Sequence, residues 1–328
     1  TLMRSSAASD VYKRQGRRAI EEHYRRLGIP ARVENASFYG MYRTVYEWKE
    51  EPLVSIIIPN KDHAEDLKLC LDSIFTKSDY RNFEVVIVEN NSTEPETFAY
   101  YKELEAGHEN VKVVYYEGGF NYSKINNFGA AACRGDYFLL LNNDTEMIDG
   151  GCIREMLGYC MREDVGIVGA KLLYADDTIQ HAGVVLQLGA HRTAGHSHYG
   201  QSRENLGYMG RLCYAQNVSA VTGACLLVKK SLFEEVGGLD ESFAISLNDV
   251  DFCLKLREKG LLNVFTPFAE LYHYESVSRG LDDSGEKAER YNRESAHFRE
   301  KWKNVLEKGD PYYNPNFSLD RSDFALKT

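Results

Sequence analysis

Leu53 to Ile58 (LVSIII) form a nearly continuous apolar run closed by Pro59, which predicts a strand buried on both faces and hence a covered, largely parallel sheet. Leu67, Leu71 and Ile74 then fall on one helical face. Phe83 to Val88 (FEVVIV) predicts a second strand that ends in Glu89-Asn90-Asn91-Ser92, completing a β-α-β unit. The pattern continues with a helix over Pro95 to Ala106, a strand over Val111 to Tyr115, an Ala- and Asn-rich helix over Tyr122 to Cys133 and a strand over Tyr137 to Leu141. Alternation of this kind indicates an α/β sheet with right-handed crossovers.

Beyond Asp149 the periodicity loosens. A helix is expected near Cys152 to Met161, with strand-like runs at Gly166 to Leu173, Val184 to Leu188 and Val218 to Val228. The Gly-, His- and Tyr-rich stretch from Gly189 to Tyr214 has the composition of a binding loop or lid. Gly285 to Lys308 reads as a charged helix that docks through Tyr291, Phe298 and Trp302, followed by an irregular end. At the other terminus, Ser5 to Gln15 (SSAASDVYKRQ) reads as non-native adapter read-through, so residues 1–15 are set aside and the natural polypeptide is expected to extend further. Residues 16–51 read as a small basic helix, stopped by Gly28-Ile29-Pro30, and a linker. The catalytic domain is expected over 52–280 and a C-terminal helix and tail over 281–328.

Composition narrows the function. A net charge of −10, from 39 basic and 49 acidic side chains, argues against nucleic acid as a partner, because a phosphate backbone requires a concentrated basic footprint. The seven cysteines are odd in number and contain no CxxC, which suits a reducing, cytoplasmic compartment. No apolar run approaches the roughly 18 residues that span a bilayer, and peripheral association with the inner face of the membrane stays open. There is no GxGxxG after the first strand, no GxxxxGK[ST] and no GxSxG, so dinucleotide oxidoreductase, P-loop and serine-hydrolase readings lose support.

Three places carry chemistry. Asn142-Asn143-Asp144-Thr145 follows the fourth strand, where an open α/β sheet binds ligands. Asp144 could cap the next segment, but its oxygen-rich neighbours favour a hard-cation ligand for Mg²⁺ or Mn²⁺. Asp249 and Asp251 stand at a helix start, where carboxylates also complement the macrodipole, and their spacing lets at most one face a substrate. Asp249 is the candidate general base and Asp251 a support. His273 is either a satisfied structural histidine or a ligand, and the polar loop after it holds Arg279, suited to phosphate. The grouped His181, His191, His196 and His198 match no familiar zinc spacing and read as loop or acceptor-site residues.

Taken in order, PLVSIIIPNKD (52–62), VVIVENNS (85–92), FNYSKINNFGAA (120–131), LLLNNDTE (139–146), TGACLLVKK (222–230), GGLDE (237–241), NDVDFCLKLREKG (248–260) and YHYESVSRG (272–280) resemble the family 2 glycosyltransferases of the GT-A fold, in particular bacterial rhamnosyltransferase-like enzymes of surface-polysaccharide synthesis. The resemblance implies a Rossmann-like, mixed but mostly parallel sheet with helices on both faces. It implies a nucleotide-diphospho-sugar donor, UDP- or dTDP-linked and weighted by family toward dTDP-rhamnose, and a glycan or lipid-linked acceptor. Donor contacts would fall on Pro59, Asn60, Asp62, Glu89, Asn91, Lys124, Asn127, Asn143 and Arg279. The metal would rest on Asp144 and His273, since Asn142 replaces the first acid of the DxD motif. Asp249 would be the base of an inverting single displacement, with Asn248 replacing the usual acid before it, and Gly223 and Ala224 would sit where a sugar packs. A nucleotidyltransferase is disfavoured because Pro59-Asn60-Lys61-Asp62 is not a Gly- and basic-rich loop. A catalytically inactive sugar- or partner-binding module of a larger assembly remains the alternative.

Overall fold

The computed structural model describes residues 2–275 and 285–327, with side chains described from residue 14 onward, residue 286 excepted. Its centre is a ten-stranded sheet. The strands are β1 (Val54–Asn60), β2 (Phe83–Glu89), β3 (Val111–Tyr115), β4 (Tyr137–Leu141), β5 (Thr145–Met147), β6 (Val165–Leu173), β7 (Ile179–His181), β8 (Gln216–Val218), β9 (Cys225–Lys229) and β10 (Leu262–His273). The order is β8-β10-β6-β9-β4-β1-β2-β3, with β5 added to β10 and β7 to β6. The β4-β1-β2-β3 half is parallel, and β9 runs antiparallel between β4 and β6.

Parallel strands must be covered on both faces, and the sequence supplies side chains for both. Ile56 and Ile58 enter one core with Val85, Ile87, Leu139 and Leu141, while Ile57 enters the opposite core with Val86, Val88, Phe138 and Leu140. Each fully buried aliphatic side chain contributes roughly 1.5–3 kcal/mol. The helix Ala64–Lys77 closes the first face through Leu67, Leu71 and Ile74. The helices Tyr122–Ala131 and Asn248–Glu258 close the second through Ile125, Val250 and Phe252. Gly129 is required for that approach, since a Cβ there would stand 2.6 Å from a Val88 methyl and 2.7 Å from an Ile57 methyl.

Several segments depart from the sequence expectation. Residues expected to be a linker instead form an antiparallel hairpin, Ala31–Asn35 with Tyr42–Tyr46. It is pinned to the sheet domain by Arg43 Nη2, 2.7 Å from the buried Glu155 carboxylate. The helix before the hairpin runs from Leu2 to Leu27, through the residues set aside as non-native. The expected run Val218 to Val228 is two strands, β8 and β9, separated by residues 219–224. β10 was not anticipated because Pro267 interrupts its pattern. Its pairing with β6 shifts register between Thr266 and Glu270, and such an irregularity is where a ladder tolerates proline. The C-terminal helix Gly285–Lys301 docks as expected through Phe298 and Trp302, and the tail adds a small cluster of Tyr313, Phe317 and Phe324 against Val185 and Leu188. Among the described residues no helix is long and apolar enough to cross a membrane.

Candidate active site

The sheet brings Asp144 and His273 together although 128 residues lie between them. β5 pairs antiparallel with the end of β10, in a register that sets His273 opposite Thr145. The Tyr274 amide donates to the Asp144 carbonyl at 2.9 Å. The His273 Nε2 consequently stands 3.2 Å from Asp144 Oδ1.

A buried glutamine fixes the imidazole. Gln180 Nε2 donates to the Glu275 carboxylate at 3.0 Å, which leaves Gln180 Oε1 to accept from His273 Nδ1 at 2.6 Å. With the proton on Nδ1, the Nε2 lone pair faces Asp144 and accepts from the Asn142 amide at 3.1 Å. Orientation of a histidine through its distal nitrogen is a recurrent feature of metal-binding histidines. Asp144 and His273 thus offer one carboxylate and one imidazole lone pair side by side, and this set fits a divalent cation whose remaining ligands are substrate phosphates or water. Among the described residues, no group of three His, Cys, Asp or Glu forms a closed metal cage.

A cavity of about 460 Å³ opens over this pair. Pro59, Asn60, Asp62, Asn143, Asp144 and His273 all line it. Asn143 Nδ2 donates to Asn60 Oδ1 at 2.6 Å, and Asn60 in turn donates to Tyr101. Asp62 and His63 both hold left-handed backbone, φ 53°, which turns the loop across the strand end. The Asp62 carboxylate accepts from the Thr93 and Glu94 amides at 2.6 and 2.9 Å. Desolvation works to raise its pKa, but the Glu94 and Thr93 amides and then Lys61 outweigh it and leave it below the ordinary value.

The remaining donor-site expectations fall elsewhere. Glu89 is buried and accepts from the Ser92 amide, the Ser92 hydroxyl and Tyr101, so it builds the second loop from beneath. Asn91 is exposed and its amide is taken by the Gly118 carbonyl. Lys124 is exposed on its helix and does not line the cavity. Asn127 exchanges hydrogen bonds with Leu239, donating to its carbonyl and accepting from its amide, so it anchors the 237–241 loop and does not line the cavity. Arg279 lies outside the described residues.

Asp249 lines an adjoining cavity of about 300 Å³ that shares Tyr122, Asn142, Ile245, His273 and Glu275 with the first. Its helix follows Leu247, whose φ of 65° is a strained value for a bulky residue and turns the chain sharply into the site. Asp249 Oδ2 accepts from the Gly223 amide at 2.9 Å and Oδ1 from the Val250 amide at 2.8 Å. The next residue, Ala224, accepts from the Asn142 backbone amide at 3.0 Å, which links Asp249 to the Asn142–Asp144 turn through the two residues that precede β9. Gly223 also accepts from the Tyr122 hydroxyl at 2.8 Å. Burial first, then the Asp249 charge, pushes the Tyr122 pKa well above its ordinary value, so the phenol remains a donor. A Cβ on Gly223 would stand 3.1 Å from that hydroxyl, so the small residue there serves packing. Asp251, as expected, points away: it is fully buried and holds Lys301 and the Trp302 indole at 2.7 and 2.8 Å. Sequence reasoning missed Gln180, whose signal was a polar pair, Gln180-His181, that makes up most of a short, fully buried strand.

A covered α/β sheet with carboxylates and a histidine gathered at its strand ends defines a sugar-nucleotide transferase type of fold, GT-A, and comparison with known proteins agrees. The structure of GalNAc-T7 with UDP, GalNAc and Mn²⁺ superposes with a TM-score of 0.60 at 14% identity, covering 78% of this chain and 50% of that one. The family model described as Glycosyl transferase family 2 matches residues 55–237, and the chain belongs to that family. Over 99% of its length it is 43% identical to the uncharacterized protein y4gI of Sinorhizobium fredii (strain NBRC 101917 / NGR234), of which it spans 36%. Over 98% it is 37% identical to the O-antigen biosynthesis protein RfbC of Myxococcus xanthus, of which it spans 24%. The chain therefore corresponds to about a quarter to a third of these relatives.

Proposed function

We propose that this chain is an inverting glycosyltransferase that moves a sugar from a UDP- or dTDP-linked donor to a hydroxyl of a glycan or lipid-linked acceptor during polysaccharide synthesis. The observation that carries the reading is the shared wall of the two cavities: Asp144 lines one and Asp249 the other, with His273, Asn142 and Tyr122 belonging to both. RfbC, named for O-antigen biosynthesis, supports the polysaccharide context.

Asn60, Asp62 and Asn143 would hold the nucleotide end of the donor in the larger cavity. Asp144 and His273 would hold a Mg²⁺ or Mn²⁺ ion, which supplies positive charge to the diphosphate leaving group; the imidazole nitrogen favours Mn²⁺. Asp249, its lone pairs oriented by two backbone amides, would accept the acceptor hydroxyl's proton as that oxygen bonds to the anomeric carbon and the bond to the diphosphate oxygen breaks. Attack from the side opposite the diphosphate inverts the anomeric centre. dTDP-rhamnose is the donor proposed first, with UDP-sugars as the comparison. The chain would work in the cytoplasm, the inner face of the membrane included.

A thermal-shift panel of dTDP- and UDP-sugars with and without Mn²⁺ tests the reading, because a ligand at one hundred times its Kd stabilises the folded state by about 2.7 kcal/mol. Metal-dependent stabilisation together with slow donor hydrolysis is expected. Stabilisation with no turnover toward water or any acceptor would identify a sugar-binding module instead, and no response to any nucleotide would overturn both.

A further inference from the structure

Four histidines between positions 181 and 198 take no part in the donor site, and two of them form a pair beside the base. His181 is fully buried, and its Nε2 accepts from the Gly183 amide at 3.3 Å and the Thr222 amide at 3.4 Å. A nitrogen that accepts carries no proton, so His181 is neutral with its hydrogen on Nδ1. That atom lies 3.0 Å from Nδ1 of His196. Two N–H groups cannot face each other across such a gap, so His196 accepts at Nδ1 and bears its hydrogen on Nε2. Burial is the leading influence on both rings and lowers both pKa values, with Asp249 and Glu275 opposing it at His196. Backbone amides thus set the first tautomer and the first tautomer sets the second.

His196 arrives on the short strand Ala194–His196, paired with Val184–Leu186 in a register that sets it opposite Val184. It lines the smaller cavity with Thr222, Asp249, Glu275 and Tyr291. The described lining contains two carboxylates and no Lys or Arg. An anionic group placed between Asp249 and Glu275 would meet like charge that no Lys or Arg among the described lining residues offsets, and such repulsion is how a site rejects a wrong partner. A volume of about 300 Å³ lies at the small end of ligand pockets, about 300–1,000 Å³.

We propose that this cavity is the acceptor subsite for an uncharged, hydroxyl-bearing saccharide, with the Nε2–H of His196, fixed as a donor by His181, bonding an acceptor oxygen next to Asp249. The assignment rests on the transferase reading and adds to it the acceptor's chemical class and a specificity-determining residue.

Saturation-transfer difference NMR on the whole chain, with UDP or dTDP and Mn²⁺ present, compares methyl glycosides of neutral hexoses and N-acetylhexosamines with methyl glycosides of hexuronic acids. Calorimetry of the nucleotide with Mn²⁺ reads the donor site separately. The neutral glycosides are expected to bind, the uronides about tenfold or more weaker, and His196→Ala to weaken neutral binding by about tenfold, the scale of one lost hydrogen bond. His196→Gln, whose amide nitrogen restores an N–H, should recover most of that loss, and nucleotide binding should be the same in all three proteins. Equal binding of uronides, or unchanged glycoside binding in His196→Ala, would overturn the proposal while leaving the donor site standing. Loss of nucleotide and glycoside binding together in the wild-type chain would overturn the transferase reading and the subsite with it. Long-range ¹⁵N–¹H spectra of histidine-labelled wild-type protein need no variant: they should show the Nδ1–H tautomer at His181 and Nε2–H at His196, and the reverse assignment would refute the donor role.

Discussion

Replacing Asp249 with Asn tests the assigned base and its scaffold in one protein, because the two carboxylate oxygens have separate backbone partners. Oδ2 accepts from Gly223 and Oδ1 from Val250, an amide in the first turn of its helix, where the helix itself supplies no carbonyl four residues back. An Asn side chain accepts only through its oxygen, so its NH₂ must face one of these two N–H groups. Leaving one such amide unpaired costs about 1–3 kcal/mol. At about 2 °C per kcal/mol for a chain of this size, the melting temperature should fall by about 2–6 °C. Loss of a general base costs about 10²–10⁴ in rate, or about 2.7–5.5 kcal/mol at the transition state. The assay is single-turnover transfer with saturating donor and Mn²⁺, beside calorimetric donor binding. The kcat should drop by at least a hundredfold while donor affinity stays within threefold, since Asp249 lines the second cavity and not the first. Turnover within threefold of wild type would remove the base assignment. A hundredfold loss of donor affinity would show that the two cavities do not divide the work as described.

Gln180→Leu removes the acceptor of the His273 Nδ1–H and should weaken Mn²⁺ binding in the presence of nucleotide by about 10–100-fold, read by calorimetry; unchanged affinity would show that the glutamine does not orient the ligand. Gly129→Ala forces a methyl against Val88 and Ile57 and should lower stability by about 1–3 kcal/mol, seen as a lower denaturation midpoint at constant slope. At Asp240, desolvation raises the pKa but the Lys301 and Ser242 hydrogen bonds outweigh it, so the folded value lies below the ordinary 3.8. A depressed carboxyl stabilises the fold above its unfolded pKa and loses that contribution as pH falls toward the folded one. Asp240→Asn should accordingly flatten the drop in melting temperature below pH 3.8, and an identical acid profile would refute the linkage.

The parallel half of the sheet was legible because its strands are buried on both faces and so write themselves as unbroken apolar runs. Val54–Asn60, Phe83–Glu89 and Tyr137–Leu141 were each anticipated within a residue or two. β10 was not, since burial on alternate positions past a proline gives no run to read. The hairpin at 31–46 failed for a related reason: none of Tyr42 to Tyr46 is fully buried, and its attachment depends on Arg43 meeting Glu155, a contact across 112 residues. Local patterning carries no trace of such a partner.

In the site, the residues read from the ends of β1 and β4 line the larger cavity, whereas Glu89 and Asn91 at the end of β2 are spent on the loop that follows it. Pro59 and Asn60 close β1, Asp62 follows it by two residues, Asn143 and Asp144 follow β4 by two and three, and all five line the cavity. Lys124 and Asn127 sit on a helix, where the face presented depends on packing, and Gly129 must turn toward the sheet to let that helix approach. With Gly129 facing the strands, Asn127 is directed to the 237–241 loop and Lys124 to solvent. The least legible parts are two side-chain pairs, Gln180 with His273 and His181 with His196, since each is made by folding across 93 and 15 residues and no local pattern says which group meets which. These pairs set which ring nitrogen carries a proton at His273, beside Asp144, and at His196, which shares a cavity with Asp249. What a histidine can do in this site is therefore decided by its buried partner, and a motif that includes the histidine without that partner specifies the position but not the chemistry.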